Sequence, residues 1–215
     1  LKPAVERIQK RCTETKDEVL RTVYQTVLYR ICSDNAGLEM QAEKPVLTPQ
    51  LCQKLAAVKD ETYVPFVITH SDSKIFDHDL LSVIGYELKD YQPLHDYYEQ
   101  TGNRQAACLL ALRVIQQKNY KDTENVHKSE YLHKIDSAIA KYEDLPEAGE
   151  LAIEHYHFLA ISSFVTAEEK IRYIHYALGK WGGWRRMNIL RNAETELTNP
   201  QFTARVDIRV SESMH

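Results

Sequence analysis

Glycine is scarce in this chain: 7 of its 215 residues, where an average chain of that length carries about 15. None of the seven clusters as GxGxxG or GxxxxGK, so phosphate-cradling loops are excluded. No HExxH zinc helix and no GxSxG nucleophile elbow occurs. The four cysteines, Cys12, Cys32, Cys52 and Cys108, form no CxxC pair, which removes zinc-ribbon and thioredoxin-type readings. They are expected to be small buried thiols. No apolar run approaches the roughly 20 residues that a membrane span requires. An excess of one charge is missing as well: 27 basic against 31 acidic side chains leave −4, too mild and too mixed for nucleic acid or an anionic membrane as main partner. No secretory signal is visible. The chain opens at Leu1, which reads as a boundary within a longer protein, so a missing signal says nothing of that protein.

What is present favours helix. Leu, Ala, Glu, Lys and Gln are plentiful, and all are good helix formers. Over residues 14–32, Val19/Leu20, Val23/Tyr24, Val27/Leu28 and Ile31/Cys32 recur every four residues, the stripe of an amphipathic helix. Thr48-Pro49 opens a short helix, Thr as N-cap and Pro in the first turn. Residues 60–76 read as an extended loop, because Pro65 interrupts a β-prone run. Asp77 is placed as the cap of a helix to Leu88, and another runs from near Pro93 to Gly102-Asn103. Arg104 to Gln116 has almost no polar face, the mark of a central helix covered on all sides. Further helices are expected over 129–142, from a capping box at Asp144/Glu147 to about Ser162, from a second box at Thr166/Glu169 to Gly182-Gly183, and from Trp184 to about Leu197.

Short loops make such helices antiparallel neighbours. The pairs recur at roughly forty residues, nearer HEAT than tetratricopeptide spacing. The expected fold class is therefore all-α, an irregular antiparallel bundle or short helix-pair solenoid over 1–198. After Pro200 the period drops to two: Phe202, Ala204, Val206, Ile208 and Val210 alternate with polar residues. That pattern reads as one β-strand, and residues 199–215 are read as the truncated start of a β-domain.

Three clusters are candidates for chemistry. His70, Asp72, Asp77, His78 and Asp79 are metal-ligand types, but their spacing fits no ligand loop, and a turn with a helix N-cap explains the acids equally well. His155 and His157 share a helix two residues apart and point to different sides; His155 alone is set beside His70, Asp72 and His78 as a metal-binding or enzymatic alternative. Trp181, Trp184, Arg185 and Arg186, with Arg191 behind, combine the residue types enriched in interface hot spots. Either they bind a protein, or the Trp rings plug the end of the core.

Three stretches, PFVITHSDSKIFDHDLLSVIG (65–85), YYEQTGNRQAACLLAL (97–112) and NPQFTARVDIRVSES (199–213), resemble the N-terminal helical region of alpha-2-macroglobulin-like proteins of Bacteroides-type bacteria. The resemblance implies an exported, periplasmic or envelope-associated peptidase trap in which a helical segment precedes β-sandwich domains. A thioester Cys-x-Glu-Gln is not carried over: Glu99-Gln100 is present, but Tyr97 stands at the cysteine position. The expected role is a non-catalytic interaction or scaffold module with no cofactor, whose partners are adjacent β-sandwich domains of the same chain or another protein.

Overall fold

The computed structural model describes residues 1–38, 40–59, 79–119 and 129–199. The extended loop read at 60–76, the terminal strand, and His70, Asp72, Asp77 and His78 lie outside the described residues.

Ten α-helices make up the described residues: α1 (Lys2–Glu14), α2 (Glu18–Asp34), α3 (Pro49–Ala57), α4 (Leu80–Glu87), α5 (Tyr91–Thr101), α6 (Arg104–Lys118), α7 (Glu130–Tyr142), α8 (Ala148–Ile161), α9 (Ala167–Trp181) and α10 (Asn188–Thr198), with a 3₁₀ turn at Ala36–Leu38. Among the described residues the only extended pairing is a single antiparallel bridge between Lys59 and Asp79. The fold is all-α, as the periodicity indicates.

Capping explains most boundaries. Thr48 accepts the Leu51 amide at 3.2 Å, with Pro49 in the first turn of α3. Gly102 at φ 80° ends α5 in the left-handed region that glycine occupies without strain. One residue on, Asn103 accepts the Ala106 amide and starts α6. Thr166 and Glu169 complete their reciprocal capping box on α9.

Four expectations need correction. Residues 2–34 are two helices, because Thr15 is extended and Asp17 accepts the Leu20 amide at 2.9 Å to start a second helix. The cap of α4 is Asp79, immediately before Leu80; its carboxylate accepts the Ser82 amide at 2.7 Å. Asp144 makes no capping box with Glu147: it clasps Arg104 through two bonds of 2.6 and 2.8 Å. A bidentate charge-assisted pair is stronger than a lone cap. The last helix begins at Asn188, since Gly182 to Met187 form consecutive turns.

Packing follows chain order. Each helix contacts the next one or two along the chain, the pattern of a quasi-one-dimensional stack. From Tyr91 onward the pairs α5–α6, α7–α8 and α9–α10 repeat close to the forty-residue period. Their second helices lie side by side, α6 on α8 and α8 on α10. Both of the first two are nearly all apolar, and both are buried on most sides. One large core extends from Leu47 to Leu190; a smaller one joins Val5, Leu28, Cys32 and Leu38.

Buried tyrosines fasten this stack. Tyr98 of α5 shares a 2.7 Å hydrogen bond with Ser82 of α4. Tyr142 of α7 donates to Glu99 of α5 at 2.6 Å. Tyr131 of α7 donates to Glu154 of α8, and Tyr173 of α9 donates to the Ala152 carbonyl of α8 at 3.3 Å. Each ring contributes apolar area while its hydroxyl finds an acceptor on another helix.

Candidate binding face

The Trp181–Arg186 segment is the corner between α9 and α10. Trp181 is buried and its indole donates to the Glu143 carbonyl at 3.1 Å. Trp184 is half-buried; its Nε1 donates to Glu150 Oε1 at 2.7 Å, and Arg186 Nη1 donates to Glu150 Oε2 at 2.8 Å. Glu150 is a buried carboxylate satisfied by one indole and one guanidinium, which is what burying a charge requires. The Trp184 ring lies where Gly149 has no side chain: a Cβ there would stand 2.8 Å from Trp184 Cδ1. Arg185 is exposed, with its guanidinium 5.0 Å from the centre of the Trp184 ring. The structure brings all four residues to one corner and uses Trp181, Trp184 and Arg186 to close the end of the stack.

A second surface emerges from the spacing of the helices. While α6, α8 and α10 pack side by side, the odd-numbered helices α3, α5, α7 and α9 leave grooves between them. The α3–α5 groove encloses about 190 Å³ above Cys52 and Tyr97. The α5–α7 groove encloses about 280 Å³, floored by Val114 and Ile115 of α6. The α7–α9 groove encloses about 570 Å³, floored by His155 and Leu159 of α8. The grooves widen towards the C-terminal end, and the largest reaches the size range of ligand sites.

The α7–α9 groove is closed at one end. Lys180 of α9 reaches Glu143, just beyond α7, at 2.8 Å, beside the Trp181–Glu143 bond. Its walls include Leu132 of α7 and Arg172 and Tyr176 of α9, with Val165 just before α9. On the floor, His155 Nδ1 lies 2.7 Å from Asp136 Oδ1, and the imidazole stacks on Tyr173 at 4.0 Å and 6°. A carboxylate can only accept, so Nδ1 carries a proton, and in the neutral imidazole Nε2 then holds a lone pair. Nε2 has no partner among the described residues. Burial drives the Tyr173 phenol well above its ordinary pKa, so this ring stays neutral. Leu159 near the end of α8 and Val165 just before α9 line the groove, and beside them Ile161, the last residue of α8, is 58% exposed and Phe164 of the connection 71% exposed.

The remaining histidines are dispersed. His157 is on the exposed side of α8, 4.0 Å from Glu154, and His175 pairs with Glu194 at 2.6 Å. No three ligating side chains converge on one point among the described residues. Cys52 and Cys108 are buried, and burial pushes the Cys52 thiol up to about 11 and the Cys108 thiol further still. Protonated thiols at neutral pH are poor nucleophiles. No helix among the described residues is long and apolar enough to cross a membrane.

Sequence reading placed the Trp/Arg corner and missed the grooves. A groove depends on helices two apart in the chain, and the helical period reports only which face of one helix is apolar. No protein-family model, no curated protein and no solved structure matches the chain.

Proposed function

We propose that this chain is a non-catalytic interaction module that docks partner segments on the face formed by α3, α5, α7 and α9. One observation carries the proposal: Leu132, Leu159, Val165, Tyr173 and Tyr176 line much of the α7–α9 groove, and Ile161 at the end of α8 and Phe164 just after it stand out in solvent. Exposed apolar side chains beside a groove contribute little to folding and mark interaction sites. Arg185 and the outer face of Trp184 supply a second, smaller contact at the corner. The resemblance of residues 97–112 and the flanking stretches suggests the setting, a helical module beside β-sandwich domains in an exported alpha-2-macroglobulin-like peptidase trap.

The test separates a binding role from a folding role. The double variant Ile161→Ser/Phe164→Ser is expected to keep the wild-type Tm within about 2 °C, because exposed positions contribute within roughly 0.5 kcal/mol. It is also expected to lose most of the fluorescence enhancement of anilinonaphthalenesulfonate, which reports exposed apolar surface. A fall in Tm of more than about 8 °C would assign both side chains to the core and overturn the reading.

A further inference from the structure

We infer that the α7–α9 groove recognises an aromatic side chain with a hydrogen-bond donor at its edge, tryptophan or tyrosine, presented by a segment of a partner protein. The inference rests on the interaction-module reading and names what the widest groove takes.

The groove is lined by aliphatic and aromatic side chains together with Asp136, Glu169 and Arg172; Asp136 is engaged with His155 and Glu169 with Thr166, and His155 offers a further acceptor on the floor. His155 is held by two contacts, the Asp136 hydrogen bond through Nδ1 and the parallel stack on Tyr173. These fix the ring plane and, in the neutral imidazole, the tautomer, which leaves Nε2 as an acceptor without a partner among the described residues. The side chain is only 12% exposed, so water reaches this nitrogen mainly through the groove. Leu132, Leu159 and Val165 supply aliphatic surface around it. Arg172 and Tyr176 stand on the α9 wall, where a guanidinium and a phenol ring both favour an aromatic neighbour.

The alternatives fit less well. A phenylalanine would cover Nε2 without giving it a proton, and an acceptor left buried and unpaired costs more than the bond itself contributes. A lysine would have to strip its strongly hydrated ammonium of water to reach Nε2. An acidic side chain would bring a second acceptor to a nitrogen that already is one, with Asp136 close by. Indole and phenol each combine a large apolar body with a single donor. The groove volume of about 570 Å³ accommodates such a side chain together with flanking backbone.

The probes are indole and 1-methylindole, titrated into the whole chain and followed by two-dimensional NMR. They share one ring system and differ in the N–H. Indole is expected to shift the resonances of His155, Leu159 and Tyr176 and to bind roughly tenfold more tightly than 1-methylindole, the factor for one buried hydrogen bond. In His155→Phe, which keeps an aromatic ring to stack on Tyr173, the two probes should bind equally. Equal affinities on the wild-type chain, with shifts at the groove, would overturn the donor requirement and leave the docking groove standing. No shifts at the groove with either probe would overturn both. The wild-type comparison decides the matter even if the variant does not fold.

Discussion

In the α5–α7 groove both nitrogens of His95 are engaged, Nδ1 with Asp96 at 3.1 Å and Nε2 with the Tyr142 hydroxyl at 3.2 Å. In the α7–α9 groove only Nδ1 of His155 is engaged, with Asp136. Both grooves lie beside α7, and both are floored by a nearly all-apolar helix. The first is bridged by Glu99, which accepts from Lys141 at 2.5 Å and from Tyr142 at 2.6 Å. The second has its tyrosine–carboxylate pair, Tyr131 and Glu154, underneath, between α7 and α8. One groove therefore spends its polar groups on holding helices together across the opening. The other holds them together from below and has the larger volume. Similar helix pairs yield a structural joint in one layer and an open surface in the next, according to where the polar bridge is placed.

The sharpest way to break this comparison is to loosen the packing beneath one groove alone. Phe158 of α8 is fully buried, and its ring lies 5.3 Å from that of Tyr131. Phe158→Ala is expected to cost about 3–5 kcal/mol and to lower Tm by roughly 10 °C. Backbone amide shifts should change mainly in α7, α8 and α9, because contacts in the stack run between near neighbours in the chain. Equal changes in α3 and α5 would show that the two grooves are not separate units.

Removing the hydroxyl of each tyrosine–carboxylate pair compares the bridges directly. Glu154 has a side chain only 10% exposed, whereas Glu99 is 28% exposed and keeps Lys141. Tyr131→Phe is expected to cost about 2–3 kcal/mol, since a buried carboxylate loses a donor. Tyr142→Phe should cost about 1 kcal/mol. Urea unfolding of both variants measures the difference. The comparison fails if Tyr142→Phe is the more damaging.

The legible part of the fold was whatever local sequence controls. The apolar runs of α6 and α8, the stop at Gly102 and the Thr166/Glu169 box depend on residues within one turn of each other, and the helices stand there. α1 escaped notice because its apolar side chains, Val5, Ile8 and Cys12, make a stripe one residue wide that serves a small separate core. The misread Asp144 shows the same limit from the other side: its partner Arg104 is forty residues away. Similarly, the Trp181–Arg186 corner was visible as a cluster of residue types, but its use was not. Glu150 and Gly149 decide that use, and they belong to another helix. His155 was singled out for its type; its acceptor nitrogen depends on Asp136 and Tyr173, from the helices on either side.

The finest distinction between the grooves is their response to acid. Burial pushes the Glu99 carboxyl up, but the hydrogen bonds from Lys141 and Tyr142, with the charges of Lys141 and His95, outweigh it and leave the group below its ordinary pKa. A carboxyl depressed in the folded state stabilises the protein above its unfolded value, and that stabilisation is lost as pH falls through the folded value. Glu99→Gln should therefore lower stability at pH 7 by less than about 1 kcal/mol, the scale for a partly exposed pair. The gap between variant and wild type should narrow as the pH falls below the ordinary carboxyl range and Glu99 itself takes up a proton. Thermal unfolding of both proteins across that range reads the gap. If it stays constant with pH, the charge on Glu99 does not bridge the α5–α7 groove, and shape alone separates the two grooves.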